Sequence, residues 1–255
     1  MNAKISIITV CYNAEKTIAK TLGSIREQTA PPYEYIIIDG GSTDRTLAII
    51  EENRDIISRW SSESDQGIAD AMNKGIRKAT GEYLLFLHAD DYLAGPGALL
   101  EIEPVMTGKD ICIFDYFFET GKGLIRRSFH NNFFWLNFKG ICHQSVLCRR
   151  SLFDRVGMFD DSFRITMDYD FFLRCRRRGI SFSVFPELAP AVMGSSGLSS
   201  RQDWGSLHAR FMEEEKAHLK NCSGLFWRII YFLWWTLYPW YRRVRYLIYG
   251  KTNIE

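Results

Sequence analysis

The sequence predicts an α/β fold: a mostly parallel central sheet flanked by helices, with an amphipathic helical tail at the C-terminus. Three observations lead to it. Short β-branched runs alternate with helical stripes across residues 5–87. Four polar clusters in and just beyond that stretch each follow directly on one of the apolar runs. From about Ser206 onward the pattern becomes helical, rich in aromatic and basic residues.

Each element has a local reason. Residues 5–10 form a β-branched run, and Asn13 is placed to cap a helix carrying Ile18, Leu22 and Ile25 on one face. Pro31-Pro32 breaks the chain before a second strand at 35–38. Thr43 or Asp44 can cap a second helix bearing Leu47 and Ile50, and a weaker strand is expected at 56–60. Asp65 is expected to cap a third helix striped by Ile68, Met72, Ile76 and Ala79; Gly81 ends it, and 83–87 is strand four. Such alternation builds a parallel sheet through right-handed crossovers.

The second half is less regular. Residues 111–118 read as another strand, the Phe133-Phe134-Trp135 region as a loop or lid, and 149–153 as the opening of a short helix. Residues 168–178 read as a helix with Phe171, Phe172 and Cys175 on one side, stopped by Gly179 as the residue after its cap. The expected organisation is a catalytic domain over 1–205, its halves meeting near 115, and a tail over 206–255.

The strand-end clusters carry the chemistry. They occupy residues 9–13, 39–44, 61–66 and 88–91, and the carboxyl ends of parallel strands share one edge, where ligands bind. Asp90 and Asp91 follow the apolar run 83–87. Charge at the rim of a core needs a cation, a ligand or open solvent, and carboxylate oxygens suit hard cations that also hold phosphates.

At 255 residues the chain can be one α/β domain, and 46% hydrophobic with 24% charged residues is ordinary for a globular protein. Net charge of +2 argues against a dedicated nucleic-acid binder. The six cysteines lack CxxC or zinc-like spacing, so a disulfide framework is not expected and a reducing compartment fits. Residues 1–4 lead straight into strand-like sequence without a signal-peptide h-region, so the expected location is cytoplasmic.

Several segments, in order, resemble the motifs of the glycosyltransferase family 2 enzymes, over roughly residues 4–200. They are Ser6-Ile7-Ile8-Thr9-Val10-Cys11-Tyr12-Asn13, then Ile38-Asp39-Gly40-Gly41-Ser42-Thr43-Asp44, then residues 64–75, then His88-Ala89-Asp90-Asp91. His143-Gln144-Ser145 and Met167-Asp168-Tyr169-Asp170 are similar to the acceptor-side motifs. The resemblance implies a GT-A nucleotide-sugar fold and inverting transfer of one sugar. It implies that Thr9 and Asp39 contact the nucleoside, with Asp39 accepting from a base N–H. Tyr12, Asn13 and Lys74 fall in the same donor-side motifs, Asp65 lies against base or ribose, and Asp90 lies near ribose and sugar. Asp91 is the implied ligand of Mg²⁺ or Mn²⁺, which neutralises charge growing on the diphosphate leaving group. UDP is the expected nucleotide. The acceptor is a saccharide, expected to be lipid-linked and destined for a surface polysaccharide.

Asp168 is the implied general base, a role contributing about 10²–10⁴-fold; as a residue type it also suits a helix cap. His143 and Gln144 either line the acceptor pocket or include a hydrogen-bonded core histidine. Two positions depart from the family pattern: His88 stands where Asp or Asn is common, and Met167 replaces a glutamate often found before the catalytic aspartate. A Gln-x-x-Arg-Trp motif of processive synthases is absent, Arg201-Gln202-Asp203-Trp204 not matching it, which favours single addition. Residues 194–200 are expected to form a mobile loop that closes over the donor.

The tail interleaves Phe226, Trp227, Trp234, Trp235 and Trp240 with Arg228, Arg242, Arg243 and Arg245. Its apolar core over 229–238 is shorter than the ~20 residues of a span, and the mixture suits a lipid headgroup boundary. Peripheral attachment to the inner face of the membrane is therefore expected, against a packing helix or dimer interface. A sugar-phosphate nucleotidyltransferase would need a Gly-rich basic loop where Cys11-Tyr12-Asn13 stands. A dinucleotide oxidoreductase would need G-x-G-x-x-G there. A non-catalytic nucleotide-sugar or membrane-binding relative is the remaining alternative.

Overall fold

The computed structural model describes residues 4–129, 137, 138, 140–197 and 200–249. The first half alternates as expected: β1 (Ile5–Cys11), α1 (Ile18–Arg26), β2 (Glu34–Asp39), α2 (Thr46–Glu52), β3 (Arg59–Ser62), α3 (Ile68–Lys78) and β4 (Tyr83–Phe86). Next come β5 (Tyr92–Leu93), α4 (Ala98–Met106), β6 (Ile111–Phe114), β7 (Tyr116–Thr120) and β8 (Gly123–Arg127). The second half adds β9 (Val146–Arg149), α5 (Ser151–Val156), α6 (Met167–Arg177), β10 (Phe182–Phe185) and β11 (Ala191–Met193). Two long helices, α7 (Trp204–Asn221) and α8 (Gly224–Tyr249), complete the described chain.

The central sheet has strand order β10-β6-β9-β4-β1-β2-β3. β1 pairs in parallel with β2 and β4, and β2 with β3, while β9 runs antiparallel to both of its neighbours. Alternate residues of β1 and β2 enter two different cores. Ile8, Ile36 and Ile38 pack with Met72 and Ile76 of α3 and with Phe171 and Phe172 of α6. Ile7, Tyr35 and Ile37 pack on the opposite face with Ile18 and Leu22 of α1 and with Leu99 and Ile102 of α4. Burial on both faces explains why these strands are continuously apolar instead of alternating.

Some local expectations shift. The strand expected at 56–60 starts at Arg59, after a short 3-10 turn over Arg54–Ile56. The strand expected over 111–118 divides at Asp115, and its second part joins a four-stranded sheet of order β5-β11-β7-β8. Asp115 is buried at the break and accepts from Arg126 Nε at 2.9 Å and Ser128 Oγ at 2.7 Å. Asn13 does not cap α1, which begins at Ile18, and Gly67 precedes α3 where Asp65 was expected to cap it. Arg149 closes β9 instead of opening a helix. The Phe133-Phe134-Trp135 region lies outside the described residues.

No boundary falls at residue 205 in the contacts. Glu213 of α7 accepts from the backbone N–H groups of Arg164, Ile165 and Thr166 at 2.9, 2.8 and 3.0 Å, capping the entry to α6. Asn221 Nδ2 donates to Asp170 Oδ1 at 2.8 Å, and the Tyr169 hydroxyl meets His218 Nε2 at 2.6 Å. α8 then packs Tyr231 and Trp235 against Phe138, Leu207 and Phe211, and Trp235 Nε1 donates to His218 Nδ1 at 2.9 Å. Among the described residues no helix is long and apolar enough to cross a membrane.

Candidate active site

Because β1 to β4 run in parallel, their carboxyl ends meet at one edge, and hydrogen bonds join the loops there. Asn13 takes a left-handed backbone with φ of 48° and bridges two loops. Its N–H donates to Ser42 Oγ at 2.8 Å, and its Oδ1 accepts from Thr43 N–H at 2.9 Å. Gly40 is closely approached: a Cβ there would sit 2.5 Å from an Asp65 carboxylate oxygen and 3.5 Å from the Tyr12 ring. Tyr12 is 64% exposed beside this bare backbone and offers a stacking face. Lys74 is fixed to the loop after β3, donating to the Ser64 carbonyl at 3.1 Å and pairing with Asp70 and Glu63 at 3.3 and 3.4 Å.

Two of the donor-side residues are engaged within the protein. Thr9 is fully buried, and its hydroxyl is spent inside the sheet on the Leu87 carbonyl at 2.6 Å and the Tyr35 hydroxyl at 3.0 Å. It holds β1 to its neighbours and does not reach the crevice. Asp39 is fully buried too, its carboxylate accepting from Gly41 and Ser42 N–H groups at 3.0 and 2.8 Å and from Ser62 Oγ at 2.7 Å. Burial would raise its pKa, but the Ser42 and Ser62 hydroxyls outweigh that and hold it below the ordinary value. These bonds fix the Gly40–Ser42 backbone beside it.

The two adjacent aspartates sit in different environments. Asp91 is 1% exposed; its Oδ1 accepts from Gly194 N–H at 3.0 Å and its Oδ2 from His88 N–H at 3.2 Å. Burial, reinforced by the charge of Asp90, pushes its pKa up to about 7. Asp90 is the more open of the pair, accepting from Ser196 Oγ at 3.0 Å. Gly194 is glycine of necessity, since a Cβ there would collide with the Asp90 carbonyl oxygen. The described part of the loop over 194–200 is thus docked on these aspartates.

From Asp91 a line of polar groups runs to Asp168. The His88 and His143 rings are 4.4 Å apart between centroids. Both His88 ring nitrogens, His143 Nε2 and Gln144 Oε1 are enclosed with no hydrogen-bond partner among the described residues. Buried polar atoms of this kind normally find a partner, so four at one place mark a ligand position. Burial and the neighbouring His143 push His88 well below the ordinary histidine value. Burial also opposes charge on His143, but Asp168 outweighs it and raises its pKa. His143 Nδ1 therefore donates to Asp168 Oδ2, at 3.0 Å.

Asp168 lies in the first turn of α6, and its Oδ1 accepts from Tyr169 N–H at 2.7 Å. Asp170, two residues on, is fully buried and pairs with the partly exposed Arg174 at 2.8 Å. Asp168, His143 and Gln144 line a cavity of about 370 Å³ that Tyr116, Arg127 and Met193 also border. Sequence reasoning missed two of its walls, Arg210 and Glu214 of α7. No spacing near residue 168 could reveal them, because only the packing of α7 on α6 brings them there.

The family model for glycosyl transferase family 2 matches residues 6–159. The PGL/p-HBAD biosynthesis glycosyltransferase of Mycobacterium bovis is 36% identical over 185 residues, covering 67% of this chain and 68% of the relative. S. aureus TarS 1-349 in complex with UDP-GlcNAc matches with a TM-score of 0.69 at 19% identity, covering 98% of this chain and 74% of that one. Of the longer TarS chain, the match spans 42%. The mannosyltransferase PcManGT from Pyrobaculum calidifontis, in complex with GDP-Man and Mn²⁺, matches with a TM-score of 0.64 at 15% identity, covering 100% of this chain and 85% of that one. The two structural likenesses identify the architecture as GT-A. With a family match over more than half its length, the chain belongs to glycosyl transferase family 2.

Proposed function

We propose that the protein is an inverting, metal-dependent glycosyltransferase that moves one sugar from a nucleoside-diphosphate donor to a saccharide acceptor. The observation that carries this reading is the line of polar groups linking Asp90 and Asp91 at the strand edge to Asp168 at the cavity. It gives a donor end and an acceptor end on one contiguous surface. The complexes of TarS with UDP-GlcNAc and of PcManGT with GDP-Man support a nucleotide-sugar donor.

In this reading Tyr12 stacks on the base, the Gly40–Ser42 backbone and Asp65 receive the nucleoside, and Lys74 steadies that loop. Mg²⁺ or Mn²⁺ fits the donor set. Such a cation is held by one or two carboxylates plus substrate phosphates. Asp90 would hold it, with Asp91 behind, and the unpartnered His88 nitrogens face the same region. Bound there, the metal would offset charge on the departing diphosphate. Asp168 takes the proton from the acceptor hydroxyl as that oxygen attacks the anomeric carbon, and the bond to the diphosphate breaks from the opposite face. His143 holds the Asp168 carboxylate in orientation.

α8 supports a membrane-facing role and a lipid-linked acceptor. Leu225, Phe226, Phe232, Leu237 and Trp240 are 63–74% exposed along it. Between Gly224 and Tyr249 it carries four arginines and no acidic residue.

The reading is tested by thermal shift with UDP-, GDP- and dTDP-sugars, with and without Mn²⁺. One donor should stabilise the protein by about 2.7 kcal/mol at a hundredfold excess over its dissociation constant. The gain should vanish in D90A and persist in part in D91N. No metal-dependent shift with any nucleotide would overturn the enzyme reading.

A further inference from the structure

The glutamate common before the catalytic aspartate is Met167 here, and Met167 is buried in the core. The cavity nevertheless contains a second carboxyl. Glu214 of α7 lines it together with Asp168, His143 and Gln144. Its side chain is 17% exposed and has no hydrogen-bond partner among the described residues. Arg210, one turn earlier, stands 3.8 Å away, beyond hydrogen-bond length. Burial, opposed by Arg210 and Arg242 and reinforced by the charge of Asp168, pushes the Glu214 carboxyl up to about 7.

Beside this loose ion pair its oxygens keep access to the cavity, where a ligand can reach them. Its neighbours in the cavity point the same way, since His143 Nε2 and Gln144 Oε1 are enclosed and unpartnered among the described residues. Polar side chains from α6, from α7 and from the turn over His143–Ser145 thus line one space, the pattern that suits a ligand dense in hydroxyl groups. The position is also firm. The adjacent Glu213 caps α6 through three backbone N–H groups, so Glu214 and Asp168 keep a fixed relation.

We propose that Glu214 binds the acceptor directly, holding a saccharide hydroxyl next to the one that reacts at Asp168. The residue replaces, from a different helix, the second carboxyl that Met167 removes from the α6 motif. This rests on the glycosyltransfer reading above, and the test separates the two.

Full-length wild type, E214L and E214Q are given the donor found by thermal shift, with and without methyl α-glucoside, methyl α-mannoside and methyl α-rhamnoside. Sugar released to water and sugar transferred to the glycoside are measured separately. In E214L the transfer-to-hydrolysis ratio should fall about tenfold for loss of one hydrogen bond. E214Q, whose amide can both donate and accept, should stay within about threefold of wild type. If E214L does not melt cooperatively, E214A is read in its place. An unchanged ratio in E214L, including no transfer by either protein, overturns the assignment. So does a parallel fall in hydrolysis and transfer, which marks a structural role. No donor hydrolysis by wild type overturns the glycosyltransfer reading as well.

Discussion

Replacing His218 with glutamine should flatten the acid side of the stability curve by an amount the structure fixes. The imidazole is fully buried between Tyr169 and Trp235, and burial lowers its pKa to about 3. Because Trp235 Nε1–H donates to Nδ1, the neutral ring carries its proton on Nε2 and donates to the Tyr169 hydroxyl. The unfolded chain titrates near 6.5, so between the two values it binds a proton that the folded state refuses. Folded stability is therefore complete above about pH 6.5 and is lost as pH falls below it. From pH 7 to pH 5 the loss from this one residue is about 2 kcal/mol, at 1.36 kcal/mol for each unit the unfolded group gains. Urea unfolding followed by tryptophan fluorescence at pH 7 and pH 5 measures it, since glutamine can bond both neighbours but cannot titrate. Wild type should lose about 2 kcal/mol more than H218Q across that interval. Equal losses in the two proteins would refute the buried, neutral assignment and with it the tight seating of α8. Groups common to both proteins cancel in the comparison, including Asp91 and Glu214, whose raised values act with the opposite sign.

Asp168→Asn should leave donor binding intact and lower transfer about 10²–10⁴-fold, checked by donor thermal shift beside a transfer assay. Equal loss in both readouts would mean that Asp168 only supports the fold. On α8, F232D with L237D should release the protein from anionic liposomes without changing its melting temperature by more than a few degrees, because both side chains are more than 60% exposed. Truncation before α8 would be a poorer test, since Tyr231 and Trp235 belong to a buried cluster with Phe138 and Phe211. Undiminished co-sedimentation of the double variant would remove the membrane reading of that face.

The alternation of strands and helices was legible because it is local. A β-branched run, a Gly or Pro break and an apolar stripe each act within a few residues of themselves. Once four strands run in parallel, geometry sends the clusters after them to one edge, where the loops carrying Asn13, Asp39 and Asp65 touch and Asp90 follows the strand beside β1. What each residue does at that edge was not legible. Thr9 and Asp39 stand in the expected loops, yet their oxygens are spent on Leu87, Tyr35 and Ser62, partners 78, 26 and 23 positions away in the chain. Asp91 lies behind Asp90 because Gly194, 103 positions on, closes over it. Glu214 reaches Asp168 only through the docking of α7 on α6. The sequence by itself determined the fold class, the strand edge that carries the site and the residue types gathered there. Tertiary structure alone decided which of those groups remain free to meet a ligand, because a hydrogen bond between distant segments leaves no periodic trace in either one.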